Sequence, residues 1–225
     1  MSIKLGINGL GRIGKLVLRL TLAQNNIEVV HINDMMNTEL MAHLLKYDSI
    51  HGKLNASVTF DDNHIIINDK PIRVTNATQP TEIPWEETGT EFVVDSSGRF
   101  KTYSTLEGHL KHGVKKVVLS CPPDDYSIER VVVMGVNQNT ILPSDRIISN
   151  ASCTTNCVAI MLKVLLNEFG IENAFMNTIH PTTNNQNLQD GYHSDYRRAR
   201  SAINNIIPTT SSAVRSVHRI FPELK

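Results

Sequence analysis

The run Gly9-Leu10-Gly11-Arg12-Ile13-Gly14 narrows the possible folds more than any other feature, because it joins a predicted strand at residues 3–7 to a predicted helix at 15–23. Glycines at these spacings let the chain turn tightly after a strand, bring backbone close to a bound group and seat a helix start against a sheet. A second predicted strand, residues 28–32, leads to Asp34, 20 residues beyond Gly14. This β-turn-α-β unit is the building block of a parallel, doubly wound sheet. Its helix start offers N–H groups to a pyrophosphate, and Asp34 can accept from the adenosine ribose hydroxyls while repelling a 2′-phosphate. Asn8, Gly9, Gly11, Arg12, Ile13, Gly14 and Asp34 are therefore candidate cofactor contacts, with NAD favoured over NADP. A glycine-rich turn also occurs without any ligand, and Asp34 has an alternative reading as a solvated strand-end acid. Strand, helix and acid in the right order favour the dinucleotide.

The rest of the chain continues this rhythm. Short apolar runs at 92–94, 116–119 and 131–133 read as further strands of the parallel sheet, with a helix-like stretch at 104–112. Runs at 58–60, 64–67 and 72–74, with turns at 61–63 and 68–70, read as an antiparallel meander at the sheet edge. After Asn150 the pattern changes to a long apolar helix, 154–169, with Gly170 placed to close it in a left-handed conformation. A strand is expected at 175–179, followed by a polar stretch at 182–210. The expected organisation is a dinucleotide-binding domain over 1–150 and a second domain beginning at 151. The fold class is α/β, a Rossmann-type doubly wound parallel sheet with an incomplete α+β catalytic domain over 151–225.

Lys plus Arg and Asp plus Glu number 22 each, so no net field draws the chain to nucleic acid or an acidic membrane surface. The apolar runs are far shorter than a membrane span, and the start of the chain lacks the pattern of a secretory leader. Three cysteines, Cys121, Cys153 and Cys157, fit reduced thiols in a reducing compartment better than a disulfide framework. A cytoplasmic protein is expected, with no metal.

Cys153 falls at the predicted start of the long helix, with Ser152 available as its N-cap. The helix dipole and unpaired N–H groups favour the thiolate, the nucleophilic form of cysteine. Cys157, one turn deeper, is expected to pack among apolar neighbours as a protonated thiol. A zinc site built on the Cys153/Cys157 spacing is the alternative, but structural sites use closer cysteine pairs and a fourth ligand. His180, followed by Pro181 at the end of the 175–179 run, is a candidate base. On its residues alone, a strand-end histidine reads equally as a structural group.

Ile7 to Gly14, Ile32-Asn33-Asp34, Leu45-Lys46-Tyr47-Asp48-Ser49, Met134-Gly135-Val136-Asn137 and above all Ser149-Asn150-Ala151-Ser152-Cys153-Thr154-Thr155-Asn156-Cys157 resemble the phosphorylating glyceraldehyde-3-phosphate dehydrogenases across essentially the whole chain. The resemblance implies Cys153 as nucleophile and His180 as the base that also stabilises its thiolate. It implies Asn8, Arg12, Ile13, Asp34, Ser97 and Ser120 as NAD contacts. Ser152, Thr154, Thr183, Ser211 and Ser212 are implied to hold a phosphorylated aldose substrate or inorganic phosphate, and the assembly is implied to be a homotetramer. Glyceraldehyde 3-phosphate is the implied substrate. The segment 191–198 and Gly135-Val136-Asn137-Gln138 also resemble erythrose-4-phosphate dehydrogenase.

Some positions depart from the family pattern. His180-Pro181-Thr182-Thr183 replaces the usual H-A-Y-T, and Ser212 stands where glycine is usual in the phosphate loop. Asp95-Ser96-Ser97-Gly98-Arg99 and Cys121-Pro122-Pro123 vary the usual motifs, and Tyr192 stands where NAD-specific members commonly have proline. The sequence stops at Lys225, short of the remaining catalytic-domain segments that the family carries. A C-terminally truncated chain, retaining only NAD binding or an interaction role, is the competing expectation.

Overall fold

In the computed structural model, residues 2–224 are described. The chain divides into two compact units, Met1–Ser152 and Cys153–Lys225.

The first unit is built on a nine-stranded sheet that begins with β1 (Ile3–Asn8), the glycine turn and helix α1 (Arg12–Thr21). β2 (Ile27–Asn33) pairs parallel to one side of β1, and β8 (Phe92–Asp95) pairs parallel to the other. Leu5 and Ile7 of β1 are buried, as a strand in the middle of a helix-covered parallel sheet requires. Between β2 and β8 the chain forms α2 (Thr38–Lys46), a small hairpin of β3 (Tyr47–Asp48) and β4 (Gly52–Lys53), then β5 (Val58–Phe60), β6 (His64–Ile67) and β7 (Lys70–Thr75). The last three form the antiparallel meander at the sheet edge, with β7 parallel to β2. Asn68 and Asp69, the two residues between β6 and β7, have φ of 48° and 63°. Both values belong to the primed two-residue turn whose twist matches its flanking strands, and Asn and Asp tolerate it best after glycine.

The chain then adds the short helix α3 (Tyr103–Leu106), extended by a 3₁₀ turn, and β9 (Lys116–Leu119), β10 (Arg130–Val131) and β11 (Ile147–Ser149). The complete order is β10-β11-β9-β8-β1-β2-β7-β6-β5. Strand order reverses beside β1, the topological switch point at which open parallel sheets bind ligands. Two apolar clusters flank the sheet. One contains Leu10, Leu18, Ile32, Met41 and Leu45, and the other Trp85, Leu106, Val117 and Leu119, all fully buried. Each such side chain contributes about 2 kcal/mol of transfer free energy.

α2 starts at Asn37, whose side chain accepts from Leu40 N–H, and ends under Arg19, which donates to the Leu45 and Gly52 carbonyls. The helix anticipated at 104–112 is a single α turn plus a 3₁₀ turn, and the strand anticipated at 131–133 ends at Val131. β3–β4, α2 and β11 carry too few residues, or too mixed a pattern, to be seen from periodicity.

The second unit contains α4 (Cys153–Glu168) and α5 (Ala213–Ile220), which pack against each other. Gly170 ends α4 at φ 73° and donates to the Leu166 carbonyl. Thr155, Ala159 and Leu162 form a buried stripe, while Cys157, Ile160, Met161 and Val164 form an exposed one. The expectation for Cys157 is thus corrected. It lies one turn from Cys153 on the same open face, because a helix apolar on both sides needs two partners and one side is uncovered among the described residues. The strand expected at 175–179 is also absent. The segment has no regular secondary structure, and Phe175 and Ile179 are 94% and 99% exposed. An apolar run becomes a strand only where another backbone takes its N–H and C=O groups.

Candidate active site

At the glycine turn the three glycines answer to different demands. Gly9 has φ 93°, and a Cβ there would lie 2.5 Å from the backbone nitrogen of Ser97. At Gly14 a Cβ would lie 2.0 Å from the Gly9 carbonyl oxygen. Gly11, the N-cap of α1, would meet nothing within 4 Å. The turn itself therefore requires Gly9 and Gly14, whereas Gly11 leaves open space in front of the helix. No side chain caps α1 and its first turn has no acid, so its leading N–H groups keep their capacity for an anion.

Asp34 follows β2 and accepts from Leu10 N–H at 2.6 Å and Met36 N–H at 2.9 Å, which aims its carboxylate at the glycine turn. Each oxygen retains a lone pair for a further donor. Arg12 pairs with Asp48, whose side chain is 1% exposed and also accepts from Ile50 and His51 N–H. Those two backbone donors first, and then the Arg12 guanidinium, hold the Asp48 carboxyl well below its ordinary range despite the opposing cost of burial. Asp48 lies in the Lys46-Tyr47-Asp48 motif, yet nothing in its spacing announces a partner 36 residues earlier. Ile13 is exposed beside this turn. Asn8, Ser97 and Ser120 all belong to strand ends or the loops after them: Asn8 closes β1, Ser97 donates to Asp95, and Ser120 N–H donates to the Asp95 carbonyl.

In the second unit Cys153 is the first residue of α4. Its Sγ lies 3.1 Å from His180 Nε2, and His180 Nδ1 lies 2.7 Å from the Pro181 carbonyl. That carbonyl can only accept, so Nδ1 carries a proton and Nε2 is the basic nitrogen facing the thiol. Burial raises the Cys153 pKa, but the His180 hydrogen bond and charge, with the N–H and hydroxyl of Thr154, outweigh it and the net shift is downward. His180 moves upward, chiefly through the Pro181 carbonyl and then through the thiolate. The two shifts agree: both favour a thiolate–imidazolium pair. His180→Asn removes the main stabiliser of the thiolate, so the pH midpoint for alkylation of Cys153 by iodoacetamide is expected to move up. An unchanged midpoint would mean that the contact does not activate the thiol.

Among the residues anticipated for substrate and phosphate, Thr154 joins this pair. Thr183 N–H donates to Gln186 Oε1, and Ser211 Oγ accepts from Ala213 N–H. Ser212 occupies the N-cap position of α5 without a side-chain cap bond. Ser152 lies in the first unit, after Ala151, which holds the left-handed φ of 60° and donates to Ser149 Oγ. Arg198, not anticipated as a site residue, donates twice to Thr209 Oγ1, at 3.0 and 2.6 Å, and so ties the 209–212 segment to the preceding loop. Tyr192 is 97% exposed. Among the described residues no helix is long and apolar enough to cross a membrane, and no group of three or more His, Cys, Asp or Glu gathers as a metal would need.

A parallel sheet with an open glycine turn at its switch point, and a cysteine at a helix start whose thiol is shifted toward the thiolate by His180, define an α/β dinucleotide-binding protein equipped with a thiol nucleophile. Residues 3–103 match the family model for the glyceraldehyde 3-phosphate dehydrogenase NAD binding domain, and residues 152–225 match the C-terminal domain of the same enzyme. The chain is 46% identical to glyceraldehyde-3-phosphate dehydrogenase of Priestia megaterium over its full length, covering 67% of that protein. It is 48% identical to glyceraldehyde-3-phosphate dehydrogenase 1 of Bacillus cereus, covering 99% of this chain and 66% of that one. Against the Geobacillus stearothermophilus enzyme the identity is 46%, with 67% of the relative covered. The chain belongs to the glyceraldehyde-3-phosphate dehydrogenase family, and it spans about two thirds of the length of these curated relatives.

Proposed function

We propose that the protein is an NAD-dependent oxidoreductase that converts glyceraldehyde 3-phosphate and inorganic phosphate to 1,3-bisphosphoglycerate through a thioester on Cys153. The observation that carries this reading is the Cys153–His180 pair, in a chain 46% identical to glyceraldehyde-3-phosphate dehydrogenases. The Cys153 thiolate attacks the aldehyde carbon, forming the C–S bond as the carbonyl π bond opens, and the oxygen takes the Nε2 proton of the His180 imidazolium; the neutral imidazole takes that proton back when the carbonyl re-forms as the thioester. NAD, when bound, supplies the acceptor for the hydride that leaves this carbon. A phosphate oxygen then attacks the thioester, the C–S bond breaks, and Cys153 departs as thiolate, stabilised again by His180.

Residues 1–150, all but the last two residues of the first unit, form the proposed NAD-binding domain and suit this cofactor. The open space at Gly11, the uncapped start of α1 and the Asp34 carboxylate are what a pyrophosphate and its adenosine ribose need. Asn8, Gly9, Arg12, Ile13, Gly14, Ser97 and Ser120 complete the proposed contacts. Residues 151–225 are assigned as the N-terminal part of the catalytic domain, with Ser152, Thr154, Thr183, Ser211 and Ser212 as substrate and phosphate groups. Family membership supports a cytoplasmic homotetramer as part of the same reading. The test is NADH formation by the 225-residue chain with glyceraldehyde 3-phosphate, NAD and phosphate, run beside erythrose 4-phosphate. Phosphate-dependent turnover of the triose is expected. Preference for the tetrose, or NAD binding without turnover, would overturn the assignment.

A further inference from the structure

Beneath the carboxyl ends of β8, β1, β2 and β7, neighbours in the sheet, runs a largely buried chain of polar side chains, of which the proposed reaction assigns a part only to Asn8 and Ser97. Its centre is Asp95, fully buried at the end of β8. Oδ1 of Asp95 accepts from Ser97 N–H at 3.1 Å and Ser97 Oγ at 2.7 Å. Oδ2 accepts from Asn8 Nδ2 at 2.7 Å and faces His109 Nε2 at 3.1 Å. His109 is fully buried too, and its Nδ1 accepts from the indole N–H of Trp85 at 3.2 Å.

Groups with a single possible role dictate the direction of every bond. An indole N–H can only donate, so His109 Nδ1 carries no proton and Nε2–H is the donor to Asp95. Asn33 is oriented by backbone: its Nδ2 donates to the Ala77 carbonyl and its Oδ1 accepts from Ala77 N–H. Its Nδ2 also donates to Asn8 Oδ1 at 2.9 Å, so Asn8 must turn its own Nδ2 toward Asp95. Burial pushes the His31 imidazole down to about 4, so it is neutral near pH 7, and its Nε2 meets Thr75 Oγ1, which donates to Asn33 Oδ1. The donors thus converge on one carboxylate from both sides. Aligned bonds of this kind polarise one another in a low-dielectric interior, and the loss of one buried partner is costly to the rest.

Asp95 ties together the two segments that flank the dinucleotide turn. Asn8 is the residue before Gly9, and the Ser96–Ser97 segment packs on Gly9, with Ser96 Oγ donating to the Gly9 carbonyl at 2.5 Å. We propose that His109 is a positioning residue of the dinucleotide site, acting through Asp95 to hold the Asn8 amide and the Ser97 loop in the geometry that receives the cofactor. The proposal rests on the NAD-binding reading given above.

Titration of the 225-residue chain with NAD separates the two ideas. If the wild-type chain binds no NAD, the cofactor reading itself fails. With wild-type binding established, His109→Leu, which keeps bulk but deletes both polar atoms, is expected to weaken NAD roughly tenfold. His109→Gln, which restores a donor and an acceptor on one side chain, is expected to return most of that affinity. A structural role alone would lower the unfolding midpoint of His109→Leu and leave the Kd of the folded protein unchanged, which overturns the proposal. Should His109→Leu not fold, Trp85→Phe decides. It preserves the ring packing and removes only the N–H that fixes the His109 tautomer, so a Kd raised about threefold supports the proposal and a wild-type Kd overturns it.

Discussion

Cys153→Ser is expected to lower kcat for NADH formation at least about 10³-fold while leaving the Kd for NAD within a factor of about two. The reason lies in the acidity of the two nucleophiles. The Cys153 thiol is shifted downward by His180 and Thr154 and can lose its proton to an imidazole 3.1 Å away. A serine hydroxyl in the same place is far less acidic, so the same contacts populate almost no alkoxide, and an ester made there would be a poorer acyl donor to phosphate than a thioester. Steady-state rates with glyceraldehyde 3-phosphate, together with calorimetric titration of NAD, separate the two quantities. Residual turnover near the wild-type rate would eliminate the thioester mechanism. A parallel loss of NAD affinity would show instead that the substitution had damaged the fold.

Gly14→Ala is the second substitution with a large expected effect, here on the fold as well as on the cofactor. The added methyl would stand 2.0 Å from the Gly9 carbonyl oxygen and 2.8 Å from Ser96 Oγ. Rotating a side chain cannot relieve a clash with a carbonyl. Gly9 cannot retreat either, because the Ser97 backbone is already against it. The start of α1 must lift from the turn, at a cost of about 3 kcal/mol, and NAD binding is expected to be lost with it. Gly11→Ala is the natural control. Its methyl would meet no protein atom, so its stability should stay within about 1 kcal/mol of wild type. Its methyl does intrude on the space assigned to the pyrophosphate, so its NAD affinity should fall. Urea unfolding of both variants makes the comparison, and equal midpoints for Gly14→Ala and wild type would refute the steric argument.

The contrast between these glycines shows where a one-dimensional reading ends. The motif marks all three as equivalent, and only the path of the chain reveals that two satisfy neighbouring backbone while the third faces open space. Helix α4 behaves the same way. Its length and its closing glycine are plain in the sequence, but the pattern from Cys157 to Val164 does not state which apolar stripe is covered, and Cys157 proves to be on the open one. The segment 175–179 has the composition of a strand but pairs with no strand among the described residues, so its apolar residues stand exposed. His180 nevertheless reaches Cys153 from the end of that segment, because a side-chain contact of this kind needs no ladder of backbone bonds.

Local information was enough wherever the cause of a feature is itself local. The turn between β1 and α1, the edge meander with its Asn68-Asp69 turn, the thiol at a helix start and the acid after β2 all follow from backbone preference, side-chain period and spacing along one stretch of chain. The pairings Arg12–Asp48, Cys153–His180 and Trp85–His109–Asp95–Asn8 join residues 36, 27 and up to 87 positions apart. Only the assembled units bring these groups within hydrogen-bond distance. Burial excludes competing water from Asp48 and from the Trp85–His109–Asp95–Asn8 chain, while the exposed Cys153–His180 pair is set by contact alone, so in each case charge state and orientation belong to the tertiary structure and not to the order of the residues.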